Sequence, residues 1–297
     1  MVRLYSLLVY AALPLALARL LWKSRRAPAY RRRWRERLGL YEQPPSRAGF
    51  WIHAVSVGEV QAAAPLIKHL LDRHPDEGVM VTTTTPTGSQ RLRDLFQDRV
   101  GHVYTPFDLP PVLSRFLDAV EPGLAVIMET EVWPNWLCAC QGRGIPVILA
   151  NGRLSEKSAR RYARLGNFTR ETFGRLAAVA AQGADDAERF RSLGVPSERL
   201  QVTGSLKFDV RLPASLLDQA EVVRRLWGAQ RPVWVAASTR EGEEEQVLAA
   251  HCEIRSHLPH ALLVLVPRHP ERFERVAALV GRQGMRLARR SAGDPPG

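Results

Sequence analysis

Short apolar runs alternate with stretches of helical periodicity from residue 49 onward, and this alternation constrains the fold more than any other feature. Helical spacing of apolar residues covers Val60–Leu71 and Ser155–Leu176. Alternating strands and helices predict a parallel sheet covered by helices on both faces. Uninterrupted apolar runs suit strands that are buried on both sides. The strand candidates are Phe50–Val55, Val79–Thr84, His102–Thr105, Leu124–Met128, Val147–Ala150, Ala177–Ala181 and Leu200–Thr203.

A polar stretch over Phe208–Ala214, which contains Pro213, predicts a hinge, and the alternation restarts after it. The 297 residues fit two domains at the usual domain size. Two strands are too few for a doubly wound domain, so we expect the second domain to be incomplete and the chain to be truncated at its C-terminus. The restarted pattern is a helix to Trp227, strand Val233–Ala237, helix Glu243–Leu258, strand Leu262–Val266 and helix Glu271–Val280.

The apolar segment Leu4–Trp22 carries a single charge, Arg19, and is long enough for a short transmembrane helix. A signal peptide cleaved near residues 16–18 and a buried helix are the alternatives. The bias of positive charge toward the cytoplasm predicts that everything after residue 22 stays on that side. The basic segment would then lie against anionic headgroups, unless it is simply a solvated helix. Its cations are Lys23, Arg25, Arg26, Arg31, Arg32, Arg33, Arg35 and Arg37.

The chain is strongly basic, with 42 Lys and Arg against 30 Asp and Glu and a net charge of +12. Such a chain favours anionic partners: nucleic acid, anionic lipid or phosphorylated substrates. Nucleic acid is disfavoured because no cluster interleaves aromatic with basic residues. The three cysteines lack zinc-site spacing and fit a reducing compartment. There is no phosphate-binding loop ending in Lys-Ser/Thr, no GxGxxG, and no Asp-x-Asp pair for a metal-bound sugar nucleotide.

Ligands of open α/β sheets bind beyond the carboxyl ends of the strands, so the residues that follow each strand are the candidate site. Ser56-Val57-Gly58-Glu59 follows the first strand. Glu59 falls at a helix start, where the helix dipole favours the ionised form. An ionised carboxylate there could act as a general base, and helix capping is the alternative. Residues 83–89 follow the second strand; they are rich in Thr and end in Gly88-Ser89. This segment could bind an anion or could cap the helix that follows it.

Charged residues also follow the later strands. Glu129 and Glu131 stand at the end of the fourth strand, where they could pair with arginines. The fifth strand runs into Asn151-Gly152, a turn that leads to a helix cap. Lys207 falls at the domain junction, and Arg268 lies at a strand-to-helix corner of the second unit. A cation at such a corner is suited to clamp a phosphate, and a solvated Arg is the alternative.

Six short sequence segments, taken in the order in which they occur along the chain, resemble segments of the 3-deoxy-D-manno-octulosonic acid (Kdo) transferases of Gram-negative lipopolysaccharide synthesis. The resemblance runs from the apolar segment to about residue 290. Each string alone is of modest specificity, whereas six in the same order are highly specific. They are Ala27-Pro28-Ala29-Tyr30-Arg31, Ser56-Val57-Gly58-Glu59, Thr85-Pro86-Thr87-Gly88-Ser89, Met128-Glu129-Thr130-Glu131-Val132-Trp133-Pro134-Asn135, Gly204-Ser205-Leu206-Lys207-Phe208-Asp209 and Val266-Pro267-Arg268-His269-Pro270-Glu271-Arg272-Phe273.

The resemblance implies an α/β fold of the GT-B glycosyltransferase type, with two Rossmann-like domains and one N-terminal transmembrane helix. The implied reaction moves Kdo from CMP-Kdo to a lipid A precursor of the lipid IVA type, with inversion and without a metal or cofactor. It is implied to take place on the cytoplasmic side of the inner membrane, whose anionic lipids are further partners.

The resemblance also implies roles for individual residues. Glu59 corresponds to the proton acceptor, and Glu129 and Lys207 to residues that stabilise the transition state. Pro267 and Arg268 correspond to part of the CMP site. We expect six further residues to bind the acceptor substrate: Ser56, Gly58, Thr85, Thr87, Gly88 and Ser89.

The implied organisation is a membrane helix over residues 1–22, a basic juxtamembrane segment over 23–48, an acceptor domain over 49–210 and an incomplete CMP-Kdo domain over 211–297. Family members continue past this C-terminus with a Gly-Gly-Ser loop and an Asn-Pro-Leu-Glu motif that grip the nucleotide. The alternatives are therefore a catalytically incompetent or merely lipid-binding fragment of such an enzyme. Another GT-B glycosyltransferase or a nucleotide-sugar epimerase is also possible on fold alone.

Overall fold

The computed structural model describes residues 1–42, 45–209 and 214–294. The chain divides into two compact units, Met1–Val210 and Arg211–Gly297. Residues 210–213, which include most of the expected hinge, lie outside the described residues.

The first unit contains a seven-stranded sheet in the order β3-β2-β1-β4-β5-β6-β7. Every neighbouring pair of strands is parallel. The predicted parallel α/β fold is therefore confirmed, and each strand lies within two residues of its expected bounds. The strands are β1 Phe50–His53, β2 Val79–Thr83, β3 Gly101–Tyr104, β4 Leu124–Met128, β5 Val147–Gly152, β6 Ala178–Ala181 and β7 Leu200–Val202.

Helices connect these strands, and 3-10 turns lie at Pro28–Arg31, Trp34–Leu38 and Leu206–Phe208. The expectation of one helix over Ser155–Leu176 is wrong. The helix breaks at Gly166, whose φ of 55° suits glycine and ends the helical path. The helices of the first unit are α1 Val2–Arg26, α2 Val57–Arg73, α3 Pro86–Phe96, α4 Pro110–Val120, α5 Pro134–Gln141, α6 Glu156–Ala163, α7 Asn167–Phe173 and α8 Ala184–Ser192.

Alternate residues of the central strands enter two separate cores, one on each face of the sheet. Phe50 and Ile52 pack with α2 and α3, whereas Trp51 between them packs with α4 and α5. In β4, Val126 and Ile127 divide between the two cores in the same way. Successive strand residues point to opposite faces, so a strand covered on both sides must be apolar throughout. This accounts for the uninterrupted apolar runs of the sequence.

The order of the strands reverses beside β1. The chain builds from β1 through β2 to β3 on one side and from β4 to β7 on the other, so β1 and β4 are hydrogen-bonded neighbours although two strands separate them in sequence. A crevice opens at such a switch point, beyond the carboxyl ends of the two strands. The loops after β1 and β4 therefore border the preferred ligand site of this fold.

The second unit pairs β8 (Val233–Thr239) with β9 (Leu262–Pro267) in parallel. Both predicted strands are confirmed. Its helices are α9 Ala214–Trp227, α10 Glu243–His257 and α11 Phe273–Arg282.

The segment Val2–Arg25 of α1 is long and apolar enough to cross a membrane. This agrees with the length argument from the sequence.

Candidate active site

Glu59 lies in the first turn of α2, directly after β1. The Ser56 side chain caps this helix by accepting a hydrogen bond from the Glu59 N–H. The Glu59 carboxylate reaches back and accepts the backbone N–H of Val55 at 2.7 Å through Oε2. This reciprocal capping is the arrangement that a Ser followed three residues later by Glu forms at a helix start. It fixes the carboxylate at the rim of the crevice.

Burial raises the pKa of Glu59 to about 7, and the neighbouring charges of Glu129 and Glu131 add to the increase. The hydrogen bonds from Val55 and Ser56 act in the opposite direction but are outweighed. The helix dipole favours the ionised form, but desolvation of the charged form dominates, so the pKa lies above its ordinary value. A carboxyl group that titrates near neutrality is well matched to accept a proton.

Glu129 and Glu131 follow β4 on the other side of the crevice. Glu129 has a left-handed backbone, with φ at 57°, and its Oε1 lies 3.4 Å from Lys207 Nζ. Glu131 accepts a hydrogen bond from the Trp133 indole at 3.1 Å. Burial raises the pKa of Glu131, and the charge of Glu129 contributes. The expected pairing with arginines is wrong: among the described residues Glu129 pairs with Lys207, and Glu131 accepts the Trp133 indole N–H.

The segment that carries Lys207 is held by two contacts within the first unit. The Asn151 side-chain oxygen, at the end of β5, accepts the Leu206 N–H at 3.1 Å. The 3-10 turn Leu206–Phe208 also packs against α2, with Leu206 on the core beneath it. Asn151 is buried and, like Glu129, has positive φ, at 55°. Strained backbone of this kind persists where the surrounding structure fixes it, and it concentrates at functional sites.

The residues expected on the acceptor side mostly have structural roles. Thr85 caps α3 by accepting the Gly88 N–H at 3.1 Å. A Cβ on Gly88 would lie 3.4 Å from the Ser56 backbone carbon, so glycine allows the α2 and α3 starts to approach closely. Ser89 is buried and accepts a hydrogen bond from Arg93 at 2.9 Å.

Two other members of that set are open to solvent. Thr87 and Gly58 are exposed, so they are the members best placed to meet a ligand. The assignment of the whole set to the acceptor stays a prediction.

Pro267 and Arg268 belong to the second unit. Pro267 ends β9, and the Arg268 N–H donates to the Thr239 carbonyl at 3.0 Å, which fixes the corner after the strand. The Arg268 side chain is exposed. The structure thus brings Glu59, Glu129 and Lys207 together in the first unit and places the two residues of the expected CMP site at a strand end of the second.

Sequence reasoning missed Asn151 as a member of the site. The available signal was Asn-Gly at a strand end, because asparagine is one of the few residues that adopts the left-handed backbone readily. The sequence predicts only pairing with arginines for Glu131. Its effect on Glu59 depends on the adjacency of β1 and β4, which no local pattern reveals.

Comparison with known sequences gives consistent matches. The profile of the family described as "3-Deoxy-D-manno-octulosonic-acid transferase (kdotransferase)" matches residues 32–210. The chain is 41% identical over 294 residues to the 3-deoxy-D-manno-octulosonic acid transferase of Haemophilus influenzae, covering 98% of this chain and 69% of the relative. For the enzyme of the same name in Bordetella pertussis the identity is 38%, with coverage of 92% and 66%. The chain thus spans about two thirds of the length of these relatives.

Among solved structures the chain is similar to UDP-GlcNAc 2-epimerase from Neisseria meningitidis. The TM-score is 0.54 at 16% sequence identity, with 78% of this chain and 69% of the other covered. A UDP-N-acetylglucosamine 2-epimerase from Listeria monocytogenes gives 0.51 at 17%, with coverage of 79% and 66%. At these identities the likeness shows the fold alone, which is of the GT-B type.

Proposed function

The chain belongs to the 3-deoxy-D-manno-octulosonic acid (Kdo) transferase family of glycosyltransferases, and from this membership we propose that it takes part in transferring Kdo from CMP-Kdo to a lipid A precursor. The reaction contributes to lipopolysaccharide synthesis. It inverts the configuration at the anomeric carbon of Kdo and needs no metal. The observation that carries the proposal is the grouping of Glu59, Glu129 and Lys207 beside the switch point of the first sheet.

Glu59 is the proton acceptor in this proposal. A hydroxyl oxygen of the acceptor attacks the anomeric carbon of Kdo while its proton passes to the Glu59 carboxylate. The new carbon–oxygen bond forms as the bond from that carbon to the phosphate of CMP breaks, and CMP leaves with the electron pair. A carboxyl group with a pKa of about 7 is ionised in enough molecules at neutral pH and is basic enough to take the proton.

Glu129 and Lys207 stabilise the charges that develop in the transition state. The sugar ring gains positive character as the leaving group departs, and the Glu129 carboxylate opposes that charge. The Lys207 ammonium, 3.4 Å from Glu129, favours the negative charge that grows on the leaving phosphate. Because Asn151 holds the Lys207 segment, the two charges are positioned before substrate binds.

Pro267 and Arg268 of the second unit contribute to the CMP site. An exposed guanidinium beside a strand end matches the geometry of phosphate oxygens. The net charge of +12 suits an acceptor that carries phosphates at an anionic membrane surface. The apolar helix α1 is compatible with membrane association, and the proposal places the enzyme at the cytoplasmic face of the inner membrane.

The direct test is to incubate the enzyme with CMP-Kdo and lipid IVA and to analyse the lipid by mass spectrometry. The expected product is lipid IVA with one or more added Kdo units, together with released CMP. The Glu59→Gln variant should form almost none. The Glu198→Gln variant is the matched control, because Glu198 is exposed in a 3-10 turn of the same unit. Transfer by the Glu59→Gln variant at the wild-type rate, or transfer from UDP-sugars only, would overturn the proposal.

A further inference from the structure

Trp133 stands at the start of α5 with its indole ring open to solvent, two residues beyond Glu131. It is 39% exposed, whereas Val132 and Pro134 on either side are buried. A single exposed apolar side chain is ordinary on a protein surface. This ring differs because hydrogen bonds hold it in a fixed position at the rim of the candidate active site.

The indole and the helix start that carries it are both fixed by hydrogen bonds. The Trp133 Nε1–H donates to Glu131 Oε2 at 3.1 Å. Directly after Trp133, the Asp108 carboxylate accepts the backbone N–H groups of Asn135 at 3.3 Å and Trp136 at 3.0 Å. Ordering a side chain on binding costs conformational entropy, so a ring that is already ordered meets a ligand at lower cost. The free protein therefore presents this ring ready for contact.

The loop that leads to this ring carries charged groups of the candidate site. Glu129 Oε1 lies 3.4 Å from Lys207 Nζ. The charge of Glu131 contributes to the raised pKa of Glu59, which follows the neighbouring strand β1. Since Glu131 also bonds the indole, only one side chain separates Trp133 from the proposed proton acceptor.

Two further apolar side chains are exposed beside the charged groups of the site. Val57, in the first turn of α2, is 37% exposed and precedes Glu59 by two residues. Phe208 is 90% exposed and directly follows Lys207. The 3-10 turn that contains Lys207 and Phe208 packs against α2. The site therefore offers apolar surface next to each of its charged groups, a combination that suits a ligand with both kinds of surface.

A sugar ring has both kinds of surface. The face of a pyranose presents C–H groups, and its edge presents hydroxyl groups. The C–H groups gain dispersion contacts on an aromatic ring such as the Trp133 indole. The hydroxyl groups donate strong hydrogen bonds to ionised carboxylates such as those of Glu129 and Glu131. An aromatic face beside two carboxylates is therefore suited to hold a sugar in one orientation.

The cytosine ring of CMP is the other flat group that could stack on an indole. It carries a phosphate, whose negative charge the carboxylates of Glu129 and Glu131 would repel. The residues expected to bind CMP, Pro267 and Arg268, also belong to the second unit, whereas Trp133 belongs to the first. The acceptor sugar is therefore the better match for this ring.

We propose that the Trp133 indole stacks on the acceptor sugar ring that carries the attacking hydroxyl, and that Glu131 accepts another hydroxyl of the same ring. This rests on the proposed function, because it states how the acceptor of that reaction is held. The indole serves twice: its face bears the sugar, and its N–H fixes the Glu131 carboxylate. Trp133 is thus a specificity-determining residue that selects a pyranose with free hydroxyl groups at its edge.

Equilibrium binding of a water-soluble sugar tests this without turnover. The probe is the sugar backbone of lipid IVA with its acyl chains removed, so that apolar contact of acyl chains does not contribute. The protein is the full chain in detergent, observed by NMR through the indole N–H resonances of its tryptophans. The resonance of Trp133 is identified by its loss in the Trp133→Phe variant. The matched control is Trp34→Leu, because Trp34 is 42% exposed in a 3-10 turn of the same unit.

We expect the sugar to shift the Trp133 resonance and to show nuclear Overhauser effects between its C–H groups and the Trp133 indole. The dissociation constant should rise about tenfold in the Trp133→Leu variant, which keeps an apolar side chain but has no aromatic face. The Trp133→Phe variant keeps a smaller face and should bind more tightly than Trp133→Leu. Binding by Trp34→Leu should equal that of wild type, and CMP binding should be the same in every variant.

A sugar affinity of Trp133→Leu within about twofold of wild type would overturn the proposal. So would a wild-type protein that binds no sugar at millimolar concentration, or that binds it without Overhauser effects at Trp133. Loss of CMP binding in Trp133→Leu with sugar binding intact would assign the ring to the nucleotide instead. A wrong proton acceptor would leave these binding results unchanged and would appear only as retained transfer by the Glu59→Gln variant. The two proposals therefore fail separately.

Discussion

The Asn151 side-chain oxygen accepts a hydrogen bond from the Leu206 N–H at 3.1 Å, which joins the end of β5 to the segment carrying Lys207. In the proposed function Asn151 is therefore a positioning residue for Lys207. Glycine tolerates the φ of 55° but offers no acceptor, so the Asn151→Gly variant isolates the loss of this bond.

We expect kcat of the Asn151→Gly variant to fall about tenfold or more, since small misplacements of catalytic groups have large effects on rate. KM for the acceptor should change little. The Asn151→Asp variant keeps the acceptor oxygen and should recover most of the rate. Steady-state kinetics of the three proteins test this, and full kcat in Asn151→Gly would remove Asn151 from the site.

Replacement of Glu59 should abolish the proton transfer. In the Glu59→Gln variant the amide retains the shape of the side chain but cannot accept the proton, so kcat should fall by about 10²–10⁴. Binding of CMP-Kdo should be nearly unchanged, as measured by calorimetry. The exposed Glu198→Gln substitution should leave both quantities unaltered. A Glu59→Gln rate within threefold of wild type would contradict the assignment.

The pH dependence of kcat/KM should report the pKa of Glu59. The base is active when ionised, so with a pKa of about 7 the value of kcat/KM should fall as pH decreases below neutrality. The charge of Glu131 raises the pKa of Glu59, so the Glu131→Gln substitution should move this decline to lower pH. Profiles measured from pH 5 to 9 would show the displacement. A decline that stays in place would mean that Glu59 is not the titrating group.

Asp108 should make stability depend on pH. Its buried carboxylate accepts the N–H groups of Asn135 and Trp136 at the start of α5, and burial raises its pKa to about 6 from 3.8. A raised folded-state pKa gives stability that is present below the unfolded pKa and is lost as pH rises through the folded value. The stability of wild type relative to the Asp108→Asn variant should therefore decrease between pH 4 and pH 6.

Urea denaturation of both proteins across that range measures this difference, followed by tryptophan fluorescence, to which the buried Trp51 and Trp136 contribute. The Asp108→Ala variant is the control for the contacts themselves. It removes both acceptor oxygens and should lower the free energy of unfolding relative to Asp108→Asn by about 1–2 kcal/mol at every pH, because neither replacement titrates. A wild-type advantage over Asp108→Asn that grows with pH would contradict the assigned cause.

The strands were predictable because each is covered on both faces and so is apolar throughout, as Leu124–Met128 illustrates. The break at Gly166 was not, since apolar residues continue at helical spacing on both sides of it. Glu59 and Glu129 could be selected because active groups follow strand ends. The effect of the Glu129 charge on the pKa of Glu59 could not be foreseen, because it depends on β1 pairing with β4 and on burial that only the assembled fold creates.

The Ser6–Asn135 hydrogen bond has a consequence for how the enzyme would meet its acceptor. Asn135 lies six residues beyond Glu129, so α1 is held close to the edge of the sheet that carries the candidate active site. With α1 associated with a membrane, Glu129 would stand at a constant height above the headgroups, and the search for acceptor would become two-dimensional. The rate should then follow the mole fraction of acceptor in the surface and not its bulk concentration, because confinement sets the effective concentration. Adding inert anionic lipid at constant total acceptor should slow transfer in proportion to the dilution.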